Sequence, residues 1–210
     1  MRALTDAVSG VSEDAARHVH EGATSQDIMD TAAMLVSRRT LDPILAEVDG
    51  ISTACARLAG DHRGTLMAGR TLLQQALSTT FGLKAAGWLV SVLEARRRLR
   101  DVRRSELAAQ LGGAAGTLAS LASLGGSGAS VLREFARELD LAEPAVPWHT
   151  ARFRVAEVGG VLSLLAGVLG KISLDIILMA QTEVGKSRSP RAMAAAAPRP
   201  RPTGETPSSP

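Results

Sequence analysis

The sequence predicts an all-α fold, a bundle of long helices, and three observations predict it. Apolar residues recur at helical spacing over long stretches. No segment alternates apolar with polar residues, and no Asn-Gly or Asp-Gly pair marks a hairpin. Hydrophobic residues make up 45% of the 210, yet aromatics only 2%, and tyrosine is absent. A core of this kind must be built from Ala, Leu and Val, which suits helices that approach closely.

The elements follow in order. Arg2 to His18 reads as a first, short helix. Gln26 to Gly60 reads as a long one, with Met34, Leu35, Leu41, Ile44, Leu45, Val48 and Ile51 at helical spacing. Pro43 is a kink point within it. Ser78 to Gln110 is a second long helix. Residues 112–130 are too rich in Gly, Ala and Ser to continue it. Val131 to Leu139 is a short helix, and Thr150 to Glu183 the third long one. Val155 to Ala180 is the strongest apolar run, but Glu157, Lys171 and Asp175 interrupt it. That pattern predicts a buried bundle helix rather than a membrane span. Long helices bury their stripes only against one another. One helical domain over 1–185 is expected. The Pro-, Ala- and Arg-rich segment 186–210 is expected to be a disordered tail.

The net charge of +3 belongs to that tail, which holds five basic residues against one acidic. The body is near neutral, so charge gives no argument for nucleic acid. The arginines at 96, 97, 98, 100, 103 and 104 read as a solvated helix face. Cys55 is the only cysteine, so no disulfide framework exists and a reducing cytoplasm is the default. The four histidines, His18, His20, His62 and His149, show no metal-ligand spacing.

The segment with chemistry in it is HVHEGATSQDIMDT, His18 to Thr31. Gly22 and Ala23 make a small-residue turn that delivers Thr24, Ser25, Gln26 and Asp27 to the start of a long helix. Unpaired N–H groups and the helix dipole favour an anion there. Plain N-capping by Thr24 or Ser25 is the simpler account of the same residues.

These residues, with MAGRTLLQQALSTTFGLKAAGW (Met67–Trp88), QLGGAAGTLAS (Gln110–Ser120) and PWHTARFRVAE (Pro147–Glu157), resemble signature blocks of the fumarase/aspartase superfamily of lyases. Within it they are most similar to the bacterial 3-carboxy-cis,cis-muconate cycloisomerases, with the adenylosuccinate lyases as near relatives. The resemblance implies the helical fold of that superfamily, no metal or cofactor, and a homotetramer whose active sites each gather blocks from three subunits. It implies lactonisation of 3-carboxymuconate in the β-ketoadipate route of aromatic catabolism, through an aci-carboxylate intermediate. Such an intermediate needs preorganised donors and an acid/base pair. The resemblance makes Thr24 and Ser25 carboxylate binders, with Gln26 and Asp27 completing their turn. It places His20, Arg70, Thr71 and Gln75 at the substrate. Arg70 could grip a carboxylate bidentately. A packing role for His20 and a surface ion pair for Arg70 stay open. Leu72 and Gln75 occupy positions where many members carry a proton-donating histidine. Proton transfer therefore falls to His149 or to water, with Arg152 beside His149 as a further substrate contact.

The family continues past a segment like Thr182 to Gly185 into a mobile loop with the signature Gly-Ser-Ser-x-Met-Pro-x-Lys-x-Asn-Pro, which carries the serine thought to be the base. This chain lacks that signature. Pro202 to Pro210, read in a neighbouring frame, permits Pro-His-Arg-Arg-Asn-Pro-Val, so a frameshift near Gly185 is expected. The chain reads as a fragment cut at both ends, inactive and either poorly soluble or oligomeric alone. An adenylosuccinate-lyase-like enzyme and a non-catalytic helical remnant or interaction protein are the alternatives.

Overall fold

The computed structural model describes residues 2–122, 127–182 and 184. The expected tail and frameshifted segment, 186–210, lie outside them. Seven helices and one hairpin are formed by the described residues: α1 (Arg2–Ser9), α2 (Glu13–Arg17), α3 (Ser25–Asp61), β1 (Leu66–Thr71), β2 (Gln74–Thr80), α4 (Phe81–Ser105), α5 (Ala119–Ala122), α6 (Gly128–Glu138) and α7 (Phe153–Ala180). The all-α class holds; the expected helix Ser78 to Gln110 is shortened to Phe81–Ser105, its first three residues lying in β2 and its last ones leaving the helix, and three larger corrections follow.

The first concerns the N-terminus, where one expected helix is two. Gly10 to Ser12 breaks it, and the Ser12 hydroxyl caps α2 by accepting the Ala15 N–H at 3.2 Å.

The second is the hairpin, which the sequence did not signal. Leu66 to Ala68 pairs antiparallel with Thr80 to Ser78, and Arg70 and Thr71 pair with Gln75 and Gln74. Its two-residue turn is Leu72-Leu73, both left-handed at φ 47° and 62°. Such turns usually carry Asn-Gly, so two leucines give no turn signal. Both strand faces are largely exposed, so no apolar alternation arises either. Gly69 sits at the bulge, where a Cβ would lie 2.6 Å from the Leu77 carbonyl oxygen.

The third concerns α7. It forms, but only 11% of its most apolar window is buried. Val155, Leu164, Leu174, Ile176 and Ile177 are exposed. The helix is long and apolar enough to cross a membrane by length and composition. A helix apolar on most sides needs neighbours on most sides, and the described residues do not supply them. Two compact units divide the chain at Val168 and Leu169.

The first unit is organised by α3 and α4, packed antiparallel. Five of the eight buried residues on α3, Asp27, Met34, Leu41, Val48 and Cys55, fall seven apart, with Asp30, Thr31 and Ser52 between them. Those on α4 fall at Ala85, Trp88, Val92, Ala95, Leu99 and Val102, alternately three and four apart. That is a heptad seam. Ion pairs flank it. Asp49 accepts from Arg96 at 2.8 Å and from Arg100 at 3.1 Å, and Asp42 from Arg103 at 2.8 Å. The arginine run expected to be a solvated face is therefore partly a helix–helix seam. It holds Asp42 below the usual carboxylate range, because the Arg103 guanidinium hydrogen-bonds it. At the turn into α4, Gly82 lets the chain cross the end of α3. A Cβ there would lie 2.7 Å from the His62 carbonyl oxygen and 2.8 Å from that of Ala59.

Beyond α4 the chain runs extended, with Leu107 to Leu111 buried. Ala108 bridges Ala142. Leu111, Leu121 and Leu132 form a small core under α5 and α6.

Candidate active site

Three segments far apart in sequence meet at the N-terminal end of α3: the turn 20–27, the stretch 110–116, and 147–152. Glycines make the approach possible. Gly22 has φ +70°, and a Cβ on it would lie 2.6 Å from Leu121 Cδ2. Gly113 has φ +73°, with the Gly22 carbonyl oxygen 2.9 Å from where its Cβ would be. Gly116, at φ +71°, packs under the His149 ring in the same way, with Cε1 at 2.9 Å. L-residues are strained in this region, so each position is suited to glycine.

The centre of the junction is Asp27, which is fully buried. Its Oδ2 accepts the N–H of Thr24 at 2.9 Å and that of Gly113 at 2.9 Å. Its Oδ1 accepts Gln110 Nε2–H at 2.8 Å. Gln110, also fully buried, accepts the Trp148 N–H on Oε1 at 2.6 Å, and its Nε2 lies 3.4 Å from His149 Nδ1. Its backbone N–H donates to the Thr31 hydroxyl, which in turn donates to the Gln110 carbonyl, both at 2.8 Å. The Trp148 indole donates to the Ala109 carbonyl at 3.0 Å. One aspartate and one glutamine thus tie the three segments together, and a buried network this complete holds a single arrangement.

A second pair braces the same place. Asp30, buried, accepts both arms of Arg152, at 2.7 and 2.9 Å, and the Gln26 amide at 3.0 Å. The carboxylate keeps the guanidinium firmly protonated. Arg152 also lies 5.8 Å above the Trp148 ring.

The expected site residues therefore divide into groups. Thr24, half-buried, and Ser25, exposed, stand at the helix start as expected, with His20 half-buried and left-handed (φ +68°) just before. His149 is half-buried beside Gln110. Asp27, expected with Gln26 to complete the turn, closes it by accepting the Thr24 N–H; Gln26 and Arg152, the latter expected as a substrate contact, both donate to Asp30. Asp27 and Asp30 are the nearest acceptors for neighbouring N–H groups and cations, and that occupies them. Arg70, Thr71 and Gln75 stand exposed at the tip of the hairpin, which follows the opposite end of α3. At 37 residues that helix is about 55 Å long. Within one chain Arg70 is not brought to Thr24 and Ser25. Gln110 and Asp30 were missed. The signal for Gln110 was a polar residue inside an otherwise small and apolar block. No cluster of three or more metal-ligating side chains occurs among the described residues.

His18 lies outside the junction. It is exposed and meets Glu21 at 2.5 Å, which raises its pKa above the ordinary histidine value.

The family described as Lyase matches residues 2–194, and the chain belongs to it. The chain is 48% identical over 190 residues to a 3-carboxy-cis,cis-muconate cycloisomerase of Bradyrhizobium diazoefficiens, covering 90% of this chain and 42% of that protein. It is 46% identical over 195 residues to a nitrosuccinate lyase of Streptomyces davaonensis, covering 90% and 41%. The crystal structure of β-carboxy-cis,cis-muconate cycloisomerase from Acinetobacter calcoaceticus superposes with a TM-score of 0.83 at 40% identity, covering 92% of this chain and 45% of that one. The chain spans less than half the length of these relatives.

Proposed function

We propose that this chain supplies one part of a lyase-type active site that lactonises 3-carboxy-cis,cis-muconate. The observation that carries the reading is the junction itself: three blocks resembling family signatures converge on Asp27 and Gln110 and present Thr24 and Ser25 at a helix start. Of the first-turn N–H groups, that of Asp27 is taken by the Thr24 carbonyl at 3.1 Å in a capping box; those of Ser25 and Gln26, at positions without an intrahelical acceptor, suit with the two hydroxyls a carboxylate whose charge grows toward the aci form. His149, half-buried at the junction beside Gln110, is the group assigned to proton transfer.

The distance from this junction to Arg70 supports a homotetramer in which another subunit brings the hairpin, with Arg70, Thr71 and Gln75, to Thr24 and Ser25. The exposed apolar side of α7 supports the same reading. These 210 residues alone, spanning less than half the length of the relatives, are proposed to be inactive. Its place is the cytoplasm, consistent with its single, buried thiol.

The nitrosuccinate lyase match favours a second reading, loss of a substituent beside a carboxylate from a substituted succinate. Both readings need the same carboxylate grip and differ in what departs.

The test is a chimera. Residues 1–185 replace the matching segment of the Bradyrhizobium diazoefficiens cycloisomerase, and the product is assayed with 3-carboxymuconate and with nitrosuccinate. Lactone formation that disappears with Thr24→Ala and Ser25→Ala together supports the first reading; nitrite release alone supports the second. A folded tetrameric chimera inert to both overturns the proposal. Turnover by the unextended chain overturns its inactivity.

A further inference from the structure

We propose that Gln110 is a positioning residue that fixes His149 as the neutral tautomer with its proton on Nε2. The inference deepens the reading of His149 as the proton-transfer group and rests on it for its functional meaning, though not for its test.

The orientation of the Gln110 amide is set by its partners. Oε1 faces the Trp148 N–H at 2.6 Å, and a backbone N–H can only donate. Nε2 faces Asp27 Oδ1 at 2.8 Å. Oδ2 of the same group already accepts two backbone N–H bonds, so Asp27 offers only acceptors here. Flipping the amide would set oxygen against carboxylate and NH2 against N–H, losing two buried hydrogen bonds at once.

One Nε2 proton is thus committed to Asp27. The second points toward His149 Nδ1, 3.4 Å away. A donor facing Nδ1 requires a lone pair there, which puts the ring proton on Nε2. The ring cannot turn away freely, because Gly116 packs against its Cε1 edge and Trp148, its neighbour in the chain, is buried and bonded through both nitrogens. Asp27 thereby dictates the tautomer of a histidine that it does not touch. The result is an imidazole that offers a proton from Nε2 rather than one that accepts there.

The experiment is nitrogen NMR of the 210-residue chain labelled in histidine, in solution or, where it self-associates, on sedimented protein under magic-angle spinning. His149 is assigned by loss of its signals in His149→Gln. The expected pattern near neutral pH is a pyridine-like Nδ1 and a protonated, pyrrole-like Nε2. Gln110→Met removes the donor and should release His149 to a mixture of tautomers. Gln110→Glu made together with Asp27→Asn, which avoids two carboxylates 2.8 Å apart, keeps an acceptor for Trp148 but presents oxygen to Nδ1, and should move the proton onto Nδ1. A protonated Nδ1 in the unaltered chain overturns the proposal. So does an unchanged Nε2–H pattern in either folded variant, which would make the Gln110 contact merely structural. None of these readouts uses substrate, so an inactive chimera would leave the tautomer result standing.

Discussion

The Arg152 guanidinium closes on the Asp30 carboxylate through two hydrogen bonds, 2.7 and 2.9 Å long. Asp30 is buried, while the Arg152 side chain is 46% exposed. Removing the arginine would strand a buried charge. That costs 3–5 kcal/mol for a fully enclosed pair, and about 2 kcal/mol here after allowance for the open side. Arg152→Met should lower the urea midpoint by that amount. Asp30→Asn together with Arg152→Met should recover part of the loss, because the stranded charge is gone. A double variant no better than Arg152→Met would show that the pair is not coupled in this way.

Asp27 should be the least replaceable residue of the junction. Asp27→Ala leaves three donors facing a void: two backbone N–H groups and the Gln110 amide. At 1–3 kcal/mol for each unsatisfied buried donor, the loss is on the order of 4 kcal/mol, a large part of a domain's stability. The expected outcome is loss of a cooperative unfolding transition by circular dichroism. Ser25→Ala, on an exposed residue, should change the midpoint by less than about 1 kcal/mol. Equal effects of the two changes would contradict the roles given to them.

The glycines give a paired test with opposite signs. Gly116→Ala meets both a left-handed backbone and the His149 ring at 2.9 Å, and should destabilise by about 2 kcal/mol. Gly50 lies exposed within α3 with nothing near its Cβ position. Gly50→Ala should therefore stabilise by about 0.5–1 kcal/mol, because glycine is costly inside a helix. Thermal melts of both variants check the pair.

The pH dependence at His18 can be stated with its sign. Glu21 raises the His18 pKa in the folded chain, so the contact helps folding while the imidazole is charged. The help is fully present below the unfolded histidine pKa and fades as pH rises through the raised folded value. Glu21→Gln should bring the His18 titration back to the ordinary histidine value, read by proton NMR. Because the pair is exposed, salt should weaken it.

The long helices were legible because Met34, Leu41 and Val48 repeat at a helical period and the chain gives no competing turn signal. The hairpin was not, because Leu72 and Leu73 hold backbone angles that leucine seldom adopts and its strands bury neither face. The turn at Gly22 and the two hydroxyls after it were legible from residue type alone. The hold of Asp30 on Gln26 and Arg152, and that of Asp27 on Gln110 and Gly113, were not. Whether a charged group faces a ligand or a neighbour depends on which segments fold against it, and Asp30 and Gln110 come from parts of the chain that the local pattern does not connect.

The apolar side of α7 leads to the last prediction. Leu174 and Ile177, 55% and 63% exposed, lie one turn apart on the same side of the helix. Water contact with that much apolar surface is unfavourable by about 25 cal/mol per Å², so the chain should self-associate. Sedimentation velocity should show species larger than a monomer, growing with concentration and persisting in moderate salt, since burial rather than charge drives them. Replacing Leu174 and Ile177 by Lys should shift the distribution toward monomer. Helix content measured by circular dichroism should stay the same, because these side chains do not hold α7 together. If the doubly substituted chain associates as strongly as the parent, the apolar side of α7 is not the adhesive surface, and the support it lends to a tetramer is withdrawn.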